Sequence, residues 1–480
     1  MKSNRFTFLL VCFCISLEVF SQHDPVAHGP VPNSRQIEWY QREIIAFFHF
    51  GMNTFTNDNE GDGTADPELF NPSALDCRQW THVLKRAGIP AAILVAKHAD
   101  GFCNWPTAYS NYSVKRSPWK NGNGDVVREF TNACKADGIK TGLYLGPHDR
   151  HDSRYGTRVY NDYYASQLSE LLRNYGQVWE IWWDGAGADQ LTIDFYRRWT
   201  DSVRTLQPQC VIFGTKNSFA SADCRWVGNE SGIAGDPCWS TIHPVSIQEE
   251  AIHIDELNHG ELNGTVYVPA ETDVSIRPSW FYHPEEDTRV KSVATLVDLY
   301  FNSVGRNSVL LLNLAPDKRG LVPEKDAERL DSLRYWLNST FNTNLAAGAK
   351  VRSLHSRGKK FDAANLVDVN DKTYYSTPDN ITTDTVTFDL GKTKVFDCLM
   401  LQEMIELGHR TTGWSVDYSV NGKSWTPIVE ASNKQSIGHK WLVRFKTVKA
   451  SHIRLRITGG VACPAIHSFG LYKQGGTKGQ

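Results

Sequence analysis

Two carboxylates stand where a folding chain gains nothing by placing a charge. Asp184 ends "VWEIWWD", a run that is otherwise apolar and aromatic apart from Glu180, and the small residues Gly185 and Ala186 are close behind it. Glu230 ends "CRWVGNE" and precedes the glycine-rich "SGIAGDP". A carboxyl pair brought together from two strand ends is the minimal equipment for glycoside hydrolysis, with one group as nucleophile and the other as proton donor. The residues by themselves leave plainer roles open: Asp184 can cap a following helix, and Glu230 can be a solvated loop residue. A second pairing is open as well, with Glu230 as acid and Glu271 as nucleophile. It leaves Asp184 without work and makes the protein a retaining glycosidase for another sugar.

The histidines raise a different chemistry. His49 in "HFG" and His98 in "AKHAD" could meet at one site and hold a metal. Each stretch offers a single imidazole rather than a spaced pair, however, and neutral imidazoles bonding to sugar hydroxyls account for them equally. The expectation is therefore no metal and no cofactor.

Short apolar runs, "EIIAFFHFG", "PAAILVAKH", "IKTGLYLG", "VWEIWWDG", "CVIFG", "CRWVGNE", "TVYVPAE" and "SVLLLNL", alternate with amphipathic stretches such as "CRQWTHVLKRAG" and "DVVREFTNACKADG", which close on Gly as a helix C-cap does. Near-continuous apolar strands separated by helices imply a parallel sheet covered by helices, and eight of them in this length imply an α/β fold, a (β/α)8 barrel. His49, His98, Tyr144, Asp184, Glu230, Glu271 and Asn313 then lie at or just beyond strand C-termini, the face on which such barrels carry their sites. The barrel is expected over residues 22–343. From 344 to 474 the texture becomes that of an antiparallel β-sandwich: "WSVDYSVNGKSW" alternates and turns at Asn421-Gly422, a strong hairpin signal.

The whole chain is consistent with this. It has 480 residues, enough for a large domain and a smaller one. A net charge of -2 provides no field to draw in nucleic acid. Fifteen Trp and eighteen Tyr are a good supply of flat rings for stacking on sugars. "MKSNR" followed by "FTFLLVCFCISLEVF" and Val19-Phe20-Ser21 reads as a signal peptide over residues 1–21, so an exported protein, periplasmic or secreted, is expected. No later run approaches a membrane span. Eight cysteines remain beyond that segment with no CxxC spacing, and pairing among them is left open.

Read together, "FFHFGMNTF", "GDGTADPELFNP", "AKHADGFCNWP", "SPWKNGNGDVV", "GLYLGP", "WWDGAGAD", "RWVGNESGIAGDP", "DVSIRPSWFYHPEED" and "SVGRNSVLLLN" resemble glycoside hydrolase family 29, the retaining α-L-fucosidases, and within it the branch that prefers α-1,3- or α-1,4-linked fucose. The resemblance implies Asp184 as nucleophile and Glu230 as acid/base, their carboxyls about 5–5.5 Å apart as double displacement requires. It implies that His49, His98, Tyr144 and Trp182 hold the fucose hydroxyls and methyl-bearing face, and that Trp280 lines the same pocket. The implied partner is a fucosylated oligosaccharide or glycoconjugate. One departure stands out: relatives usually read "KHHDGF", and here the second His is Ala99. Contacts outside the fucose pocket are expected to compensate, from Asn59 to Pro67 and from "LGHR", Leu407 to Arg410. The C-terminal part resembles a discoidin-like, F5/8 type C domain in "VDVNDKTYYS", "VTFDLG" and "IRLRI"; such domains bind sugars or brace their neighbours. A sugar-binding barrel that has lost activity is the other class the sequence allows.

Overall fold

The computed structural model describes residues 23–187, 190–243, 254–432 and 435–476. The segment read as a signal peptide lies outside the described residues. Eight parallel strands close into a barrel: β1 (Ile44–Phe48), β2 (Ala91–Lys97), β3 (Lys140–Leu145), β4 (Glu180–Trp182), β5 (Val211–Gly214), β6 (Cys224–Trp226), β7 (Ala270–Ser275) and β8 (Val309–Leu314), with β8 pairing back onto β1. A helix α1 (Ser34–Tyr40), capped reciprocally by Asn33 and Gln36, precedes β1. The outer ring contains α2 (Cys77–Ala87), α3 (Val126–Asp137), α4 (Arg158–Asn174), α5 (Ile193–Leu206), α6 (Val293–Asn302) and α7 (Glu324–Phe341). Asp76 and Asp125 cap the starts of α2 and α3, and both helices end on a left-handed glycine, Gly88 and Gly138. α4 ends instead on Tyr175, with left-handed Gly176 next. No helix among the described residues is long and apolar enough to cross a membrane.

Strand alternation divides the core in two. Outward residues such as Ala46, Phe48, Leu94 and Ile181 pack against Trp80, Leu84 and Phe130 of the helices. Inward residues, among them Ile45, Phe47, Ile93, Val95, Tyr144, Trp182, Val211, Phe213 and Leu311, fill the barrel, and Trp39 and Tyr40 of α1 close its lower end.

One strand departs from the sequence reading. "TVYVPAE" divides at Pro269: Val266–Tyr267 pairs with Thr241–Ile242 in a separate ribbon, and the barrel strand starts at Ala270. Proline has no N–H to donate into a ladder, and the strand beyond it, "AETDVS", is too polar to be recognised as barrel wall although all six residues are buried. Glu271 is thus the second residue of β7, not its C-terminal end.

The C-terminal part is an antiparallel sandwich built of β9 (Lys350–Ser353), β10 (Tyr375–Ser376), β11 (Asp384–Glu403), β12 (Thr411–Ser419), β13 (Thr426–Val429), β14 (Trp441–Gly460) and β15 (Ala465–Tyr472), in the order β10-β15-β11-β14-β12-β13 with β9 on β11. The twenty-residue strands β11 and β14 change register at Asp389/Lys394 and Phe396/Cys398, which bends them around a core of Phe388, Leu401, Trp414 and Phe469. Asn421-Gly422 lies in the turn between β12 and β13, where Asn421 Oδ1 accepts the N–H groups of Lys423 and Ser424. The eight described cysteines are all buried and free.

The sandwich docks against the lower end of the barrel, opposite the strand C-termini. His439 stacks on Tyr40 at 4.7 Å, and His409 Nε2 accepts the Ser240 N–H at 2.9 Å. Asn307, just ahead of β8, accepts the His439 N–H at 2.7 Å and donates to the Cys238 carbonyl at 2.9 Å. It does so from left-handed backbone at φ 59°, a conformation that Asn tolerates. "LGHR" therefore belongs to this interface, with His409 and Arg410 buried, and does not reach toward the strand C-termini. Asn307→Ala should cost about 2–4 kcal/mol, combining an unsatisfied buried N–H with a strained Ala. Urea unfolding measures it, and an unchanged midpoint would show that the joint does not depend on Asn307.

Candidate active site

At the C-terminal face of the barrel a cavity of about 340 Å³, enough for one sugar ring, is lined by His49, His98, Tyr144, Trp182, Asp184, Glu230 and Trp280. The seven residues that the family resemblance implies thus share one pocket. Asp184 lies two residues beyond Trp182, the last residue of β4. Its Oδ2 accepts the Tyr144 hydroxyl at 2.9 Å and its Oδ1 accepts the Ala186 N–H at 2.7 Å. Two donors suit an ionised carboxylate. Burial, and then the charge of Asp184, hold Tyr144 far above the ordinary phenol range, so it remains a donor. The loop that follows must be small: Gly187 has φ +65°, and a Cβ there would meet His148 Nδ1 at 2.0 Å.

Glu230 is exposed and lies on the loop after β6, where its Oε2 accepts the Trp280 indole N–H at 3.3 Å. Trp280 packs 5.2 Å from the His49 ring. His49 Nδ1 meets Asn313 Oδ1 at 2.8 Å, and the Asn313 amide donates to Ser275 Oγ and the Trp280 carbonyl. That arrangement places the imidazole proton on Nδ1 and leaves Nε2 as an acceptor. The His98 ring lies 5.6 Å from His49 and 5.8 Å from Tyr144. Burial lowers the pKa of both imidazoles, His98 to about 4, so both are neutral near pH 7. Trp182 forms the apolar wall, stacked on Phe213 at 4.2 Å.

Several lining groups were not singled out from the sequence. Asp273 lines the pocket from β7, accepts the Trp226 indole N–H at 2.9 Å, and is driven well above the carboxylate range by burial, with Glu230 and Glu271 adding to the effect. It sits two residues after Glu271, so only the correct start of β7 reveals it. Asn59 and Glu60, from the loop expected to supply outer contacts, line the rim with Ala99, His148 and Arg150, and Arg150 pairs with Glu60 and donates to the Gly61 carbonyl. Glu271 is not in the pocket. It is fully buried beneath Trp182, with both oxygens taken by the indoles of Trp39 and Trp182. A nucleophile needs a path to the sugar, so the pairing of Glu230 with Glu271 fails.

The neutral His98 gives a pH signature. Its folded pKa of about 4 lies below the ordinary 6.5, so the unfolded chain binds a proton that the folded chain refuses between those values. Stability present above pH 6.5 is lost as pH falls toward 4, with Glu60, Arg150 and His148 modulating the extent. His98→Asn should make the fall in Tm over this window shallower than in the parent; parallel curves would contradict this.

The α-L-fucosidase family model matches residues 28–341, and the F5/8 type C domain model matches 349–468. The chain is 38% identical to α-L-fucosidase 1 of Arabidopsis thaliana over 451 residues, 92% of this chain and 87% of the plant protein. A Bacteroides thetaiotaomicron protein of known crystal structure is 59% identical with a TM-score of 0.92, covering 94% of this chain and 99% of its own. A glycoside hydrolase family 29 fucosidase from Ruminococcus gnavus, solved with fucose, is 31% identical with a TM-score of 0.85 over 94% of this chain and 97% of its own. With one sugar-sized pocket at the barrel's C-terminal face and these matches along its length, the chain belongs to the α-L-fucosidases of glycoside hydrolase family 29, fucose-releasing glycosidases, and carries an F5/8 type C domain.

Proposed function

We propose that the protein is an exported, retaining exo-α-L-fucosidase that removes terminal α-1,3- or α-1,4-linked fucose by double displacement. The observation that carries the reading is that Asp184 and Glu230 line a single pocket with different surroundings. Asp184 holds two donors and stays ionised, so its oxygen attacks the anomeric carbon while the bond to the aglycone oxygen breaks and Glu230 delivers its proton to that oxygen. Glu230 then removes a proton from the incoming water, which displaces Asp184 and restores both groups. His49, His98 and Tyr144 bond the ring hydroxyls. Trp182 packs against C5 and its methyl group and so disfavours the C6-hydroxylated L-galacto sugar. The rim of Asn59, Glu60, His148 and Arg150 supplies polar contacts beyond the fucose, which supports a branched glycan as substrate. Export is supported by the basic and apolar pattern at the N-terminus.

Asp184→Ala should lower kcat on an aryl α-L-fucoside by at least ~10³-fold, with azide restoring turnover as a β-configured fucosyl azide. Near-full activity of that variant would remove Asp184 from the mechanism. Glu230→Ala should impair release from an oligosaccharide much more than from a nitrophenyl fucoside, since an acidic phenol needs little protonation. Equal losses on the two substrates would assign Glu230 a structural role. A wild-type protein that binds fucose without turning over either substrate would mark a binding module.

A further inference from the structure

Beneath the pocket floor lies a carboxyl pair that the mechanism does not use. Glu180 opens β4 and Glu271 is second in β7; both point into the barrel and are fully buried. A ligand-capable atom of each, and of Cys224, lies within 4.8 Å of the others. Both Glu271 oxygens are supplied with donors, the Trp39 indole at 3.2 Å and the Trp182 indole at 3.1 Å. Neither oxygen of Glu180 meets a donor among the described residues. Two adjacent charges in so dry a place are prohibitive, so the proton belongs on the group that lacks donors.

We propose that Glu180 is protonated and donates its proton to Glu271, and that this bridge fixes Glu271 as the acceptor that orients the Trp182 indole against the sugar. Glu180 and Glu271 are thus positioning residues, acting through the ring that forms the apolar wall. Burial raises both carboxyls, Glu180 far above the usual range with the charge of Glu271 adding to it, and Glu271 to about 7 with its indole bonds and Glu180 pulling it down, in agreement with the placement of the proton. The groups then follow in order, with Glu180 beneath, Trp182 at the apolar wall and Asp184, two residues past the end of β4, at the reacting centre. A tilt of the middle ring would displace the bound sugar relative to Asp184.

The inference rests on the fucosidase reading only for the identity of the sugar, and the test separates the two. Without substrate, infrared difference spectra of the whole protein at neutral pH should show a protonated carboxyl band that disappears in Glu180→Gln and persists in Glu230→Gln, and Glu271→Leu should shift the tryptophan near-ultraviolet dichroism. In turnover, Glu271→Leu and Glu180→Leu should lower kcat/KM on the aryl fucoside by about 10-fold or more and reduce its discrimination against the aryl α-L-galactoside. Glu180→Gln, whose amide N–H still donates to Glu271, should recover most of the loss seen in Glu180→Leu, whereas Glu271→Gln, with one acceptor for two indoles, should not. Four results overturn the proposal: no band lost in Glu180→Gln, tolerance of Gln at 271 but not at 180, lowered Tm with unchanged discrimination, or one metal ion per chain that Glu180→Gln releases. A wild-type protein inactive on every fucoside would refute the functional reading and leave the spectroscopic arms standing.

Discussion

Burial of carboxyl groups in a closed, water-poor barrel is the constraint on which the site depends. Four of them, Glu180 on β4, Glu271 and Asp273 on β7, and Asp184 just past the end of β4, are each governed by the donors within reach. Asp184, at the mouth, accepts a phenol and a backbone N–H. Glu271 has two indoles. Asp273 has one indole and lies well above the carboxylate range. A common dielectric therefore yields carboxyl groups of different proton affinity within a few residues of one another, which acid/base chemistry near neutral pH requires.

Tryptophan connects these groups to the sugar pocket. Trp39 rises from α1 through the lower end of the barrel, Trp182 and Trp226 stand on neighbouring parts of the wall, and Trp280 reaches across to Glu230. Each places an indole N–H on a carboxyl oxygen while its ring fills apolar space. The aromatic richness of the composition is in this way partly structural, since the rings that shape the pocket are also the donors that hold its acids.

The two ends of the barrel carry different work. Polar rim loops surround the pocket, with Arg150 tying the Asn59–Gly61 segment to the loop after β3. The opposite end is closed by α1 and by the sandwich through His439, His409 and Asn307. At that interface the sandwich braces the strand N-termini, remote from Asp184 and Glu230.

Much of this was legible along the chain because it is local. Cap residues, alternation, apolar runs and the Asn-Gly turn act over a few neighbours, so the helices, seven of the eight barrel strands and the change to antiparallel structure follow from the sequence. The placement of Asp184 and Glu230 at strand ends does too, and barrel closure then brings them to one face. Tertiary structure alone decided the rest. A polar stretch such as "AETDVS" becomes barrel wall only because distant indoles, those of Trp39, Trp182 and Trp226, satisfy its carboxyls. Asp273 gained its place in the pocket, Glu271 lost a catalytic role, and His409 and Arg410 turned inward for one reason. Whether a polar side chain meets water, a donor or another acid depends on partners far away in sequence, and no local pattern encodes them.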